Sequence, residues 1–586
     1  MRGHLQQGRR QLVALLGNER AAGWLLALFA AAVYLLTLDP SVSWWDCGEF
    51  IVTSHTLQVG HPPGAPLYQL LAHCAMLLAC GNALWVAPLS NALSALCAAL
   101  TVMVLFRTAR ELGARQLTAA VAALCYLFSD TAWFSAVESE VYAMAMLFCS
   151  LDVWLMLRWR RTGNPRLLLL LALSLGLGIC VHLMTLLTLP ALLWIFLRHK
   201  KVSIFNFQFS IFIILFFILG LTPYAVIPIR AAANPPINEG NPASADAFLA
   251  YLRRDQYPKA PLYPRLWRQR DAQNWQHWGV DDPRSLADNA RYYATYQLGY
   301  MYLRYFMYNF IGRENLAYRP DKENFSIFNF QFSIFLLPFL LGLGGMVAHW
   351  RRRRDDALAV TLLFLFGGIA LNLYLNHPCY EPRERDYAYV LSFYAFALWI
   401  ALGADALAPK LKTRSLKLLM LAAPLLMALG NWADHDRSGC HAVHDIALNH
   451  LQSCDHGAIL ITYGDNDTFP LWYLQQVEGK RTDIGIHNVN LEGYAATLRL
   501  LDDNAFRRPV YLTQYAADAL GRYFPGTLRC EGFCHRLLPH GHAPDDAHGR
   551  HIADSIRWNI TPDEYLDPVS RSFLDIWHEN TKPEDC

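Results

Sequence analysis

Apolar runs recur along most of the chain, at residues 20–38, 84–106, 117–135, 140–157, 166–181, 183–198, 204–227, 327–348, 357–375, 388–407 and 416–432. Each is long enough to predict a helix crossing about 30 Å of hydrocarbon. The pair at 166–198 is the shortest, with only His182 between its members. Basic residues then choose the sides. Arg9 and Arg10 precede the first span. Arg107, Arg110 and Arg115 follow the second, and Arg158, Arg160, Arg161 and Arg166 the fourth. Arg198, Lys200 and Lys201 follow the sixth, Arg351 to Arg354 the eighth, and Lys410, Lys412, Arg414 and Lys417 the tenth. Every second loop is basic, as eleven spans with a cytoplasmic N-terminus require. The N-terminal run is basic and then apolar, with no small-residue cleavage site after it, which predicts a retained signal-anchor helix.

Two further apolar stretches must then lie on the outer surface without crossing. APLYQLLAHCAMLLAC (65–80) and YYATYQLGYMYLRYFMYNF (292–310) are expected as interfacial helices, the second with its tyrosines at headgroup level. The string SIFNFQFSIF occurs at both 203–212 and 326–335, a local duplication with no physical account. From about residue 433 the pattern turns polar and alternating. A helix in HAVHDIALNHLQ, strands at 458–464, 483–491 and 508–515, and helices between them predict a small α/β domain with a parallel sheet. The fold class expected is thus an α-helical polytopic membrane protein with a C-terminal soluble α/β domain. Residues 1–432 form the membrane part, with outer loops at 39–83 and 228–325, and 433–586 the extracytoplasmic domain.

Composition agrees: 54% of residues are hydrophobic, 17% are charged, and the mean hydropathy is +0.17. No basic block with interleaved aromatics points to nucleic acid. Cys440, Cys454, Cys530, Cys534 and Cys586 fall in the polar C-terminal region, where disulfides and free thiols are equally compatible with the sequence. The Cys530-x-x-x-Cys534-His535 spacing, with His540, His542, His548 and His551 after it, fits no standard zinc pattern.

With sides assigned, the chemistry gathers on one face. The first outer loop holds Asp46, Glu49 and His61; the second holds Glu138, Glu140 and Tyr142; the third presents His182. The fourth carries Arg230, NPPINEG (234–240) and YLRRDQY (251–257), and the fifth His377, Glu381, Arg383, Glu384, Arg385 and Asp386. This is the layout expected of an enzyme whose substrate is part lipid and part extracytoplasmic. Carboxylates act as base toward a hydroxyl, while Arg and His neutralise a phosphate leaving group. Plainer readings exist: Glu138 and Glu140 as solvated helix-start acids, Arg383 to Asp386 as a structural ion-pair knot, His182 as a hydrogen-bonded structural residue. Asp465 and Asp467 sit at the carboxyl end of a predicted strand, where α/β folds bind ligands, or form an N-cap and turn cluster. Asp46, Glu49, Glu138 and Glu140 together could bind a divalent ion, though no outer-loop cluster demands one, and none is favoured.

The motifs WWDCGEF (44–50), GHPPGAPLY (60–68), FSAVESEVYAM (134–144), VHLMTLLTLP (181–190), IPIRAAANPPINEG (227–240), YLRRDQY (251–257), YMYLRYFMYNFIGREN (300–315), EPRERDYAY (381–389) and YGDNDTFPLWYLQQVEG (463–479) span most of the chain in order. Their arrangement resembles the glycosyltransferase superfamily C fold. More closely it resembles a membrane family, common in Bacteroidetes, long catalogued as a domain of unknown function, which includes a vertebrate transmembrane protein O-mannosyltransferase. That resemblance implies transfer of a sugar from a polyprenyl-phosphate carrier to Ser or Thr of exported proteins, by an inverting single displacement. It implies Asp46 as the base that activates the acceptor hydroxyl, with Glu49 as helper or substitute. His61, Arg383 and Arg385, joined by His182, are the candidates to neutralise the lipid phosphate. A bacterial inner-membrane location follows, with the site and the C-terminal domain periplasmic. The competing classes are a transporter or lipid-linked-glycan flippase, which calls for ionisable residues near midplane and broken helices, and a non-catalytic assembly platform.

Overall fold

The computed structural model describes residues 18–198, 207–268, 272–312, 336–379, 381, 383–411, 413, 418–504, 507–520 and 526–538. Arg9, Arg10, Lys200, Lys201, Lys412, Arg414, Lys417, the second SIFNFQFSIF copy, the histidines from 540 onward and Cys586 lie outside them.

The expected spans appear as helices, with ends shifted by a few residues. Glu19–Leu36, Val86–Glu111, Val141–Thr162, Phe207–Leu221, Leu336–Arg352, Arg354–Phe366, Val390–Leu407 and Ala422–His435 fall on eight of them. Six described segments are long and apolar enough to cross a membrane, and a seventh arises if the bent pair Gln116–Leu127 and Asp130–Ala136 is one span. The pair bends by 66° where Ser129 Oγ donates to Tyr126 O at 2.7 Å, an alternative bond for a carbonyl that the next helical turn would use. The stretch at 166–198 gives only the short helices Arg166–Ile179 and Leu183–Leu197.

Charge sorts by end. Glu19 meets Arg110, Glu111 meets Arg158 and Arg161, Asp356 meets Arg160 and Arg353, and Asp355 meets Arg198. These residues cap one end of the bundle. The opposite helix ends carry Asp39, Asp46, Glu138 and Glu140.

One expectation needs correcting: most of the tyrosines of 292–310 pack inside the protein. Tyr293–Leu303 is a π-helix continued by the α-helix Arg304–Phe310, and Tyr292, Tyr296, Tyr302, Tyr305 and Tyr308 are buried in protein. Aromatic stacking among Tyr292, Tyr296 and Tyr300 and the ion pair of Arg304 with Glu384 at 2.6 Å give that face better partners than lipid. Pro66–Met76 likewise buries Tyr68, Gln69 and Ala72.

The C-terminal region forms a five-stranded sheet: β1 (Ile459–Thr462), β2 (Gly485–Asn488), β3 (Val510–Leu512), β4 (Thr527–Glu531) and β5 (Cys534–Leu538), in order β2-β1-β3-β5-β4. β2, β1 and β3 are parallel, as the alternation predicts; β5 joins β3 antiparallel and pairs with β4. The Cys530–Cys534 spacing thus belongs to a hairpin, and the described cysteines are free thiols. Helices Ala442–Gln452 and Asp465–Gln476 carry Val443, Ile446, Leu471 and Leu474 into the same hydrophobic core as Trp44, Cys47 and Ile51. A second core, around Ile459, Ile461, Leu501 and Leu512, fills the other side of the sheet.

Candidate functional site

After Glu19–Leu36 the chain makes a pinned turn. Asp39 accepts from Ser41 N–H at 3.0 Å and from Ser43 Oγ at 2.7 Å, while Asn91 Nδ2 donates to Asp39 O and Ser41 O. Trp45 then takes a left-handed backbone, φ 62°, and Asp46 opens the helix Cys47–His55. Asp46 stands at the N-cap, yet its side chain caps no N–H. It accepts instead from Arg383 Nη1 at 3.1 Å.

Glu49, in the first turn of that helix, is 1% exposed. Its Oε1 accepts the His61 backbone N–H at 2.5 Å and its Oε2 meets His61 Nδ1 at 2.6 Å. The return strand can wrap this closely only because residue 60 is glycine: a Cβ there would lie 2.4 Å from Glu49 Oε1. Tyr251 Oη donates to Gly60 O at 2.7 Å, and Val59 pairs in parallel with Asn238. Residues 238 and 251 therefore hold the segment that carries His61.

Arg383 is the hub. Its guanidinium donates to Asp46 and, through Nη2, to Glu140 Oε1 at 2.6 Å. It also lies over the rings of Trp45 and Tyr387, 5.4 and 4.5 Å from their centroids. Tyr142 packs on Tyr387 and its edge meets His182.

Electrostatics follow from this crowding. Burial pushes the Glu140 carboxyl up to about 8, against the pull of Arg383. Burial alone would lower His61, but the charge and hydrogen bond of Glu49 hold it well above the ordinary imidazole range, so it carries a proton at neutral pH. His182 is driven down to about 4 by burial, then by Arg254 and His61. It is neutral, its Nδ1 accepts from Met184 N–H at 3.1 Å, and it offers a hydrogen bond rather than a charge.

The remaining candidates separate. Glu138, far from solvated, is buried on Arg437 at 2.8 Å; Glu140, equally buried, corrects the solvated reading as well. Arg385 is engaged by Glu381 at 2.8 Å and by Tyr387 Oη, and Asp386 accepts from Thr131 Oγ1 at 2.7 Å. Asp467 turns into the sheet, accepting from Tyr463 N–H and Thr513 Oγ1, and burial raises it to about 7. Asp465 stays open at the mouth of the cluster. Partial loss of water, then the charges of Asp46 and Glu49, raise it to about 6. Glu239 is a member the sequence reading passed over. Burial, then Glu49, push it up to about 9, and its Oε1 is buried without a hydrogen-bond partner. Its signal was an acid in NPPINEG, a segment with no helical or strand period.

Among the described residues, the group able to hold a cation differs from the four acids considered above. Ligand atoms of Asp46, Glu49 and His61 lie within 4.8 Å of one another, while Glu138 and Glu140 are taken by arginines. A cation here would displace the proton that His61 shares with Glu49.

Residues 46–204 match the family model described as "Protein O-mannosyl-transferase TMEM260 N-terminal domain", and residues 443–494 match "TMEM260-associated domain 2". A Mus musculus protein described as "Protein O-mannosyl-transferase TMEM260" is 25% identical over 517 residues, covering 86% of this chain and 65% of that protein. A Dictyostelium discoideum protein of the same description is 24% identical over 254 residues, 41% of this chain and 31% of its own length. The chain thus spans less than two thirds of either relative. The crystal structure of ArnT from Cupriavidus metallidurans bound to undecaprenyl phosphate superposes with a TM-score of 0.52 at 12% identity, over 90% of this chain and 100% of that one. The chain is a multi-pass membrane protein that shares its fold with that structure and is similar to the TMEM260 proteins, as its motifs implied.

Proposed function

We propose that this relative of the TMEM260 proteins is a glycosyltransferase that moves a sugar from a polyprenyl-phosphate carrier to a Ser or Thr hydroxyl of an exported protein. The observation that carries this reading is the joining of Asp46, Glu49, His61 and Arg383 at the bundle end opposite the arginine-rich one. Asp46 is the base: it takes the acceptor proton as the hydroxyl oxygen attacks the anomeric carbon. The bond from that carbon to the phosphate oxygen breaks on the opposite face, so one displacement inverts the configuration. The leaving lipid phosphate keeps the bonding electrons, and protonated His61 neutralises it. Glu49 keeps His61 charged, and Arg383 orients Asp46. Arg385 remains a candidate second contact to the phosphate. His182, neutral, supplies a hydrogen bond at the same side.

On this reading the site and the α/β region face outside the cytoplasm, since the arginine-rich end follows the positive-inside pattern. The descriptions of the curated relatives make mannose the first sugar to test. Mass spectrometry of the exported proteome from cells with wild-type protein or Asp46→Asn, matched for abundance, tests the proposal. Loss of O-linked sugar in the variant is expected; unchanged glycans would sink it.

A further inference from the structure

The α/β region's contribution to the site is visible at one hydrogen bond. Asn466, second residue of the helix Asp465–Gln476, accepts the Trp45 backbone N–H on Oδ1 at 2.6 Å. Trp45 needs holding. A bulky residue in the left-handed region is strained, and such a conformation persists only where its surroundings over-determine it. Trp45 immediately precedes Asp46, and its ring lies under the guanidinium of Arg383, which in turn binds Asp46. One residue's backbone therefore fixes both the start of the Asp46 helix and the face on which Arg383 rests.

The two helices meet too closely for this contact to be loose. A Cβ on Gly48 would lie 2.8 Å from the carbonyl carbon and oxygen of Phe469. Farther along, Gln58 Nε2 donates to Gln476 Oε1 at 2.6 Å. The neighbouring Asp465 adds its charge to the field around Asp46, Glu49 and His61.

We propose that Asn466 is a positioning residue for the reaction: it acts through Trp45 to set the Asp46 carboxylate, so the α/β region completes the site rather than merely receiving the acceptor. This rests on the proposed transfer activity, so its test includes a measurement that does not. In the full-length, detergent-solubilised protein, hydrogen exchange of a peptide covering residues 41–50 should quicken at least tenfold in Asn466→Ala. It should stay near wild type in Asn466→Asp, which keeps the acceptor oxygen. With a polyprenyl-phosphate mannose donor and a Ser/Thr peptide, Asn466→Ala should lose about ten- to a hundredfold in kcat with the donor KM unchanged, and Asn466→Asp should recover most of it. Should Asn466→Ala fail to fold, Asn466→Ser, whose shorter side chain withdraws the acceptor, carries the same expectation. Unchanged exchange in residues 41–50, or a loss confined to donor KM, would overturn the proposal. Quickened exchange in a protein whose wild type transfers no sugar would leave Asn466 in this place and overturn the transfer reading instead.

Discussion

Arg383 Nη1 donates to Asp46 Oδ2 at 3.1 Å across 337 residues of sequence. The second amino group of the same guanidinium holds Glu140. One cation thus ties together three loops, and the proposed base has its orientation set by a residue near the far end of the membrane part.

Removing the base should stop the chemistry while sparing the fold. Asp46→Asn is expected to lower the transfer rate by about 10²- to 10⁴-fold, the span that general-base groups contribute. The thermal midpoint should move little, because the amide still accepts from Arg383. Single-turnover kinetics with the lipid-linked donor measure the first, and thermal unfolding in detergent the second.

Arg383→Ala should cost stability as well as activity. It leaves Asp46 and Glu140 facing one another without their shared cation, and breaking such a pair costs about 3–5 kcal/mol. A thermal midpoint within a degree of wild type would contradict the hub role.

Glu49→Gln removes the charge that keeps His61 protonated. Burial then pulls the imidazole down, opposed by the charge of Asp46. As pH rises, transfer in the variant should fall at a lower pH than in wild type, which holds its rate further. Parallel pH–rate profiles for the two proteins would refute Glu49 as keeper of the His61 proton.

Glu239 gives a stability test with a definite sign. Its folded value of about 9 lies above the ordinary glutamate value of about 4.3, so the native state keeps a proton that the unfolded chain releases. Its contribution is full below about pH 4 and is lost as pH rises toward 9. Glu239→Gln, permanently neutral, should unfold at a higher temperature than wild type at pH 8 and match it more closely at pH 5.

Gly48→Ala should cost about 1–3 kcal/mol, because its methyl meets the Phe469 backbone, which cannot turn aside as a side chain would. Gly485→Ala, whose Cβ would meet nothing within 4 Å, is the control and should leave the thermal midpoint in place.

How much of this was legible in the sequence depended on distance along the chain. Asp46, Glu49 and His61 fall within sixteen residues, two of them one helical turn apart, so composition and periodicity bring them together. The partner of Asp46 was legible only as a charge-rich loop: Arg383 and Arg385 look alike in EPRERDYAY, and packing alone sends one to Asp46 and the other to Glu381. The DNDT motif hid a similar division. Successive helical residues turn about 100°, so Asn466 reaches the bundle while Asp467 points into the sheet toward Thr513. Glu239 escaped because an acid in an aperiodic loop carries no mark of where the loop lands. The buried tyrosines of 292–310 were misplaced because a Tyr-rich amphipathic run looks the same beside lipid headgroups as beside other aromatic rings.

The contact between Asn466 and Trp45 also has a consequence for biogenesis. The first acidic loop emerges early in synthesis, more than four hundred residues before the side chain that receives its backbone. Throughout insertion of the intervening helices, the proposed base Asp46 lacks the contact that sets it. On the proposed reading, activity waits until residue 466 arrives and docks. The order of translation would then keep a half-built chain silent, and one interrupted before that point would carry its motifs without the assembled site.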